Sequence, residues 1–178
     1  DLWPEENWAM RAALEWDITD ATSATLTWDH DQIDQLARPA IGLVALGPID
    51  TTVPFPPDPA TYLDPLNATV YNDVIGNEES RKLDAATLFI DHAFSWSDFR
   101  STTAWRTFET VNREDEDGTN RIALYFDTAN VEDNTSFYQE FKLSGQSDAI
   151  DWVAGVSYYS EDAKQASDTH AFTDSIDT

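Results

Sequence analysis

The sequence contains no cysteine, a single methionine, six glycines and only ten Lys and Arg among 178 residues. Without thiols, disulfide staples and thiolate-held metals are excluded. Against the ten cations stand 34 Asp and Glu, a formal net charge of -24 and a pI near 4.1. That balance argues against a nucleic-acid partner, because such binders neutralise phosphates with Lys and Arg. It argues equally against docking on an anionic inner leaflet. The start carries no basic segment followed by an apolar one, so no signal peptide is expected. No stretch approaches the roughly 18 consecutive apolar residues of a membrane-spanning helix. Transmembrane β-barrels escape that criterion, since their spans alternate and leave only a weak hydropathy signal.

What is abundant is aromatic. Seven Trp, six Tyr and nine Phe make up 12% of the chain, too many for a disordered acidic tail. The length suits one domain. From Asn7 to Ile18 the even positions read Trp8, Met10, Ala12, Leu14, Trp16 and Ile18, and the odd ones Ala9, Arg11, Ala13, Glu15 and Asp17. Period two with one apolar and one charged face predicts a strand between two different environments. A turn at Thr19-Asp20-Ala21-Thr22 leads to a second strand carrying Ala24, Leu26, Trp28 and His30 on one face.

Four further strands are predicted, at about 81–94, 99–111, 135–144 and 150–161, besides about 7–18 and 22–32. Two long connections separate them. One, about 33–80, holds seven of the eight prolines, which lack the donor a central strand needs. Around 66–75 it has room for a short helix or strand. The other, about 112–134, has seven acidic residues balanced only by Arg113 and Arg121. Short turns near 20, 96 and 146 alternate with the long loops, and an acidic tail is expected from Asp162. Long strands with short turns at one end and long loops at the other point to an antiparallel up-and-down meander of a transmembrane β-barrel.

The aromatics fit that expectation. Trp8 and Trp16 share a face roughly 26 Å apart along the strand, at about 3.3 Å per residue. Tilted by about 40°, they span about 20 Å, near the roughly 25 Å apolar band that aromatic girdles bound. Trp8, Trp16, Trp28, Trp105, Trp152 and Tyr158 are thus candidate membrane-interface residues. In a soluble sheet the same residues would form core.

Several segments resemble the barrel hairpins of TonB-dependent outer-membrane receptors. They are Asn7-Trp8-Ala9-Met10-Arg11-Ala12-Ala13-Leu14-Glu15-Trp16 with Ala24-Thr25-Leu26-Thr27-Trp28-Asp29-His30, and Phe99-Arg100-Ser101-Thr102-Thr103-Ala104-Trp105-Arg106. The most specific is Phe137-Tyr138-Gln139-Glu140-Phe141-Lys142-Leu143-Ser144-Gly145 leading to Trp152-Val153-Ala154-Gly155-Val156-Ser157-Tyr158. The resemblance implies a bacterial outer-membrane location, contact with outer-membrane lipid, and uptake of a scarce nutrient, most commonly an iron–siderophore complex. It also implies a TonB-type energy-coupling partner acting through a plug. No plug segment, coupling box or closing aromatic strand is recognised, and six strands fall short of the eight of the smallest barrels. A middle portion of a receptor barrel is therefore expected. Its loops and the end beyond 162 would be extracellular and its short turns periplasmic. Arg11, Arg100, Arg106, Glu140 and Lys142, opposite the aromatics, would face the lumen, a plug or a passing ligand. On a soluble sheet they would form ordinary cross-strand pairs. The competing class is a soluble, secreted acidic β-sandwich acting as a binding or adhesion module.

Catalytic patterns are not found. His30, His92 and His170 are isolated, without zinc-ligand spacing. Neither a phosphate-binding glycine loop nor a nucleophile elbow occurs; Gly155-Val156-Ser157 lacks the second glycine. No enzyme and no cofactor are expected. Within Glu114-Asp115-Glu116-Asp117-Gly118, Asp115 and Asp117 are weak Ca²⁺ candidates against a solvated acidic loop tip. Asn67-Ala68-Thr69 and Asn134-Thr135-Ser136 match glycosylation sequons, meaningless in a bacterium.

Overall fold

A computed structural model describes residues 6–38, 40, 72, 74–118 and 125–171. The chain is all-β. Six strands, β1 (Asn7–Thr19), β2 (Thr22–Gln35), β3 (Glu78–Ala93), β4 (Asp98–Asp115), β5 (Phe126–Gln146) and β6 (Asp151–Ala171), form one antiparallel sheet in sequential order. The sheet is open: β1 and β6 each have one neighbour. Among the described residues there is no second sheet, so the sandwich alternative lacks the layer that would cover its aromatic face.

The hairpins explain themselves locally. The turn between β1 and β2 has two residues, Asp20 and Ala21. Two-residue hairpins favour primed turns with positive φ, yet no described non-glycine residue has one. A register shift between Asp17 and Thr19 takes up the mismatch, as a bulge does. Thr19 and Thr22 join their hydroxyls across the turn at 3.0 Å. The other tight turns close through Phe94 N–H to Ser97 O at 2.8 Å and Ser147 N–H to Ile150 O at 2.9 Å. Of the long loop between β2 and β3, the Ala37 N–H bonds to Asn77 Oδ1 at 2.9 Å, joining its two ends. The segment near 66–75 lies mostly outside the described residues, as does Asn67.

Three strand boundaries differ by four or more residues from those expected. β4 continues to Asp115 and β5 begins at Phe126, so the connection expected over 112–134 shrinks to 116–125. β6 continues to Ala171, so the stretch expected as a tail from Asp162 is strand. The added residues pair in unbroken register, from Thr107 with Thr135 to Asp115 with Asp127, and from Thr135 with Asp162 to Phe126 with Ala171. Both faces are polar there, so no apolar alternation betrays the strand.

Buried apolar side chains are limited to Ala24, Ala37 and Ala129 among the described residues. Among the described residues twenty large apolar side chains are exposed.

One close approach near the short turns is specific. A Cβ at Gly145 would lie 2.5 Å from the Trp152 ring, directly opposite in β5–β6 register. Trp152 in turn stacks on Trp96 at 6.1 Å. Gly145→Ala is expected to push Trp152 off Trp96 and destabilise the protein by about 1–3 kcal/mol, the usual cost of overpacking. Equilibrium unfolding in the Trp152→Ala background checks it: the penalty should vanish there. An equal penalty in both backgrounds would mean that Trp152 is not the cause.

Candidate functional site: an apolar face and an ion-paired face

Directly paired residues of an antiparallel sheet share a face, and the face alternates along each strand. Register therefore assigns every described strand residue to one of two sides. One row runs Trp16, Ala24, Ile90, Ser101, Phe141, Val156; two residues further from the short turns lies Leu14, Leu26, Leu88, Thr103, Gln139, Tyr158. The next is Ala12, Trp28, Ala86, Trp105, Phe137, Ser160. All six aromatics singled out from the sequence, Trp8, Trp16, Trp28, Trp105, Trp152 and Tyr158, fall on this side. The polar exceptions in mid-band satisfy one another. Thr103 donates to Gln139 Oε1 at 2.7 Å, and Gln139 Nε2 donates to Ser101 at 3.1 Å.

The band has two borders. Near the short turns, His92, Phe94, Trp96 and Trp152 form a chain of ring contacts with centroids 4.3, 5.9 and 6.1 Å apart. Thr22 Oγ1, 2.7 Å from His92 Nδ1, links that chain to the first hairpin. Toward the loops, the row of Met10, His30, Asp84, Thr107, Thr135 and Asp162 marks the change to polar. His30, 7% exposed, lies between the rings of Trp8 (4.3 Å) and Trp28 (5.8 Å), with Nδ1 2.7 Å from Asp84 Oδ1. The next row is Gln32, Lys82, Glu109, Asp133 and Lys164 opposite Trp8. His30 and His92 thus both sit at the borders of the aromatic face, and neither is on the other face.

The opposite face carries charge. Arg11, Arg100, Arg106, Glu140 and Lys142 all lie on it. Arg11 Nε meets Asp29 at 3.0 Å, Arg81 Nη2 meets Asp31 at 3.0 Å, and Arg100 Nε meets Asp91 at 2.7 Å. Each pair joins neighbouring strands. Arg100 also covers Phe89, its guanidinium 5.8 Å from the ring centroid, which shelters the one aromatic of the Leu88-Phe89-Ile90 run that points this way. Tyr138 donates to Glu140 at 3.0 Å. Lys142 stands directly opposite Arg100, beside Gly155, where no side chain fills the space. The structure does not gather these five residues into one cluster; they are spread along β1, β4 and β5.

The acidic loop tip has a structural use. Asp115, 2% exposed, accepts the N–H groups of Asp117 (3.0 Å) and Gly118 (3.3 Å) through Oδ1. Gly118 has φ +67°, the left-handed conformation that glycine adopts at least cost. Asp117 accepts the Phe126 N–H at 2.8 Å. Both Ca²⁺ candidates thus cap backbone donors of the turn between β4 and β5. No group of three or more potential metal ligands occurs among the described residues. The Asn134 amide is buried and bonded to Glu161, which leaves no room for a glycan on that sequon.

A cluster that sequence reading missed lies at the loop ends of β4, β5 and β6. Asp127, 1% exposed, receives His170 (2.9 Å), Arg113 (3.4 Å) and the Tyr125 hydroxyl. A signal existed: reflection through the short turn at 147–150 places His170 opposite Asp127, provided both strands continue that far.

No family model, curated protein or solved structure matches the chain. Asp115→Ala is expected to lower stability by about 1–2 kcal/mol, because buried turn donors lose their acceptor. Chemical unfolding with and without Ca²⁺ checks it. A Ca²⁺-dependent stabilisation that the substitution abolishes would make Asp115 a cation ligand instead of a cap.

Proposed function

We propose that the chain forms part of the wall of a bacterial outer-membrane β-barrel receptor of the TonB-dependent type. The observation that carries the reading is the segregation of faces on an open sheet. An aromatic-bordered apolar band occupies one side, a ladder of ion pairs the other, and no protein layer among the described residues covers either. On β1 the band runs from Trp8 to Ile18, roughly 33 Å along the strand and about 25 Å once tilted by about 40°. Lipid would cover this face, and an aqueous lumen the ion-paired one. The strands supply length to spare: crossing takes about 9–11 residues, whereas β5 and β6 have 21 each. The surplus lies at the long-loop end, where both faces are polar, and reads as a collar standing clear of the bilayer on the extracellular side.

The resemblance of the β5–β6 hairpin to receptors of this type supports the transport role. In this reading the cargo is a scarce nutrient, with an iron–siderophore complex as first choice, and an energy-coupling protein acts through a plug belonging to the complete receptor. Arg106 and Lys142 serve as lumen cations facing plug or ligand, since neither forms an ion pair among the described residues.

Two measurements test the two levels. Nitroxides at Leu14→Cys, Leu88→Cys and Ala154→Cys should be relaxed by membrane-dissolved oxygen, and those at Ala13→Cys and Thr87→Cys by a water-soluble relaxant. Water-like behaviour at all five sites would overturn the membrane assignment. Loss of the protein should abolish growth on an iron chelate as sole iron source while leaving growth on free iron intact. Equal growth on both would overturn the substrate class and leave the wall assignment standing.

A further inference from the structure

Among the described residues β6 is an edge strand whose one neighbour in the sheet is β5. At its outer end the sequence places a histidine against a buried carboxylate, on the side that carries the apolar band further down but well beyond the band. His170 Nδ1 lies 2.9 Å from Asp127 Oδ1, and Nε2 lies 3.3 Å from Asp168 Oδ2. An imidazole can donate from both nitrogens only as the imidazolium ion. Asp127 is 1% exposed, so its charge depends on its partners. They come from every neighbouring element: Arg113 from β4, Tyr125 from the turn, and His170 from β6. Asp115 of β4 stands directly opposite Asp127 in register, adding a second buried carboxylate. Among the described residues, Asp127 faces two cations while His170 is charged and Arg113 alone once His170 loses its proton.

We propose that Asp127, His170, Arg113 and Tyr125 form a proton-operated clasp, locked while His170 carries its proton and released when it loses it. What it locks is the outer end of β6 against β5 and the turn between β4 and β5. That turn meets the cluster through adjacent residues: Glu116 N–H bonds to Phe126 O at 3.0 Å, one residue from Asp127. Release would therefore loosen both the strand end and the turn beside it. This inference does not depend on the receptor reading.

The direction of the pH response follows from the groups. The hydrogen bond to Asp127, and then the charges of Asp127 and Asp168, raise His170 above its ordinary value of 6.5, against burial and Arg113. Burial pushes Asp127 up, but the Tyr125 and His170 hydrogen bonds and the His170 and Arg113 charges outweigh it and hold it below 3.8. A raised histidine contributes stability fully below its unfolded value and loses it as pH rises through the folded one. A depressed carboxylate contributes above its unfolded value and loses it as pH falls through the folded one. The clasp is therefore at full strength between 3.8 and 6.5 and opens on the alkaline side.

The absence of native cysteine permits a clean probe. A nitroxide at Thr169→Cys, on the opposite face from His170, is followed in the folded protein from about pH 5 to about pH 9, a range that brackets ordinary histidine near 6.5. It should be immobile in acid and mobilise along a one-proton curve with its midpoint above 6.5. The ratio of mobile to immobile label should change by at most about tenfold per pH unit. In His170→Gln it should be mobile throughout and indifferent to pH, while a control label at Ala13→Cys stays unchanged. A wild-type label insensitive to pH, or a Gln variant that titrates like wild type, overturns the clasp. Should the control label show that His170→Gln misfolds, Asp168→Asn decides. Removing that exposed carboxylate must lower the midpoint, and an unmoved midpoint overturns the proposal.

Discussion

Everything in this sheet depends on an unbroken cross-strand register. From β1 to β6 each strand pairs with the next in sequence, and the single described irregularity is the shift beside the first turn. Side chains alternate with period two, so a one-residue slip would carry Trp16, Trp28 and Trp105 to the charged face and Arg11, Arg100 and Arg106 to the apolar one. Register is thus strongly specified even though the sheet has almost no interior. The ion pairs reinforce it more than they stabilise it. Arg11–Asp29 and Arg100–Asp91 are substantially exposed, and such pairs are worth about 0–1 kcal/mol each. Their value lies in placement: Asp91 neutralises Arg100 exactly where Lys142 faces it from the other side, and like charges directly opposite are destabilising.

The described part of the sheet buries little apolar surface of its own. A soluble domain of this length would bury most of its apolar surface between layers. Here most of the large apolar side chains of the strands' middle rows share one exposed face, and the only buried apolar side chains among the described residues are alanines. Ser101, Thr103 and Gln139 bond to each other, and Asp84 takes the His30 ring nitrogen at the border. Such internal pairing is what a bilayer would require of the barrel wall proposed above.

Legibility in the sequence followed turn length. Around the short turn at 94–97, reflection alone sets Asp91 against Arg100; around Asp20-Ala21 it would set Arg11 against His30, and the register shift beside that turn brings Arg11 to Asp29 instead. Across the long loop between β2 and β3 no such rule applies. The His30–Asp84 and Arg81–Asp31 pairs could not be read from spacing, because many registers suit a loop of that length. Strand character was legible where the two faces differ in chemistry and illegible where they agree. Over 126–134 and 162–171 both faces are polar, so the alternation that revealed β1 vanishes although the backbone pairs just as well. Phe89 blurred β3 for the converse reason: an aromatic on the polar face is tolerated because Arg100 covers it.

The acidity of the chain acquires a location on this framework. Of 34 acidic residues, 19 lie in 33–80, 112–134 or from Glu161 onward. Part of that acidity belongs to paired strand extensions, where it works with the fold. Asp115 and Asp117 cap turn donors, and Asp127 joins three strands through His170 and Arg113. The means of cohesion therefore changes along each strand: ring stacking near the short turns, apolar side chains in the band, charge beyond it. In water, apolar contact favours any compact state, whereas a buried carboxylate accepts only partners that satisfy it. Where solvent wets both faces, a specific ionic cluster is the device that can still fix one arrangement of an edge strand.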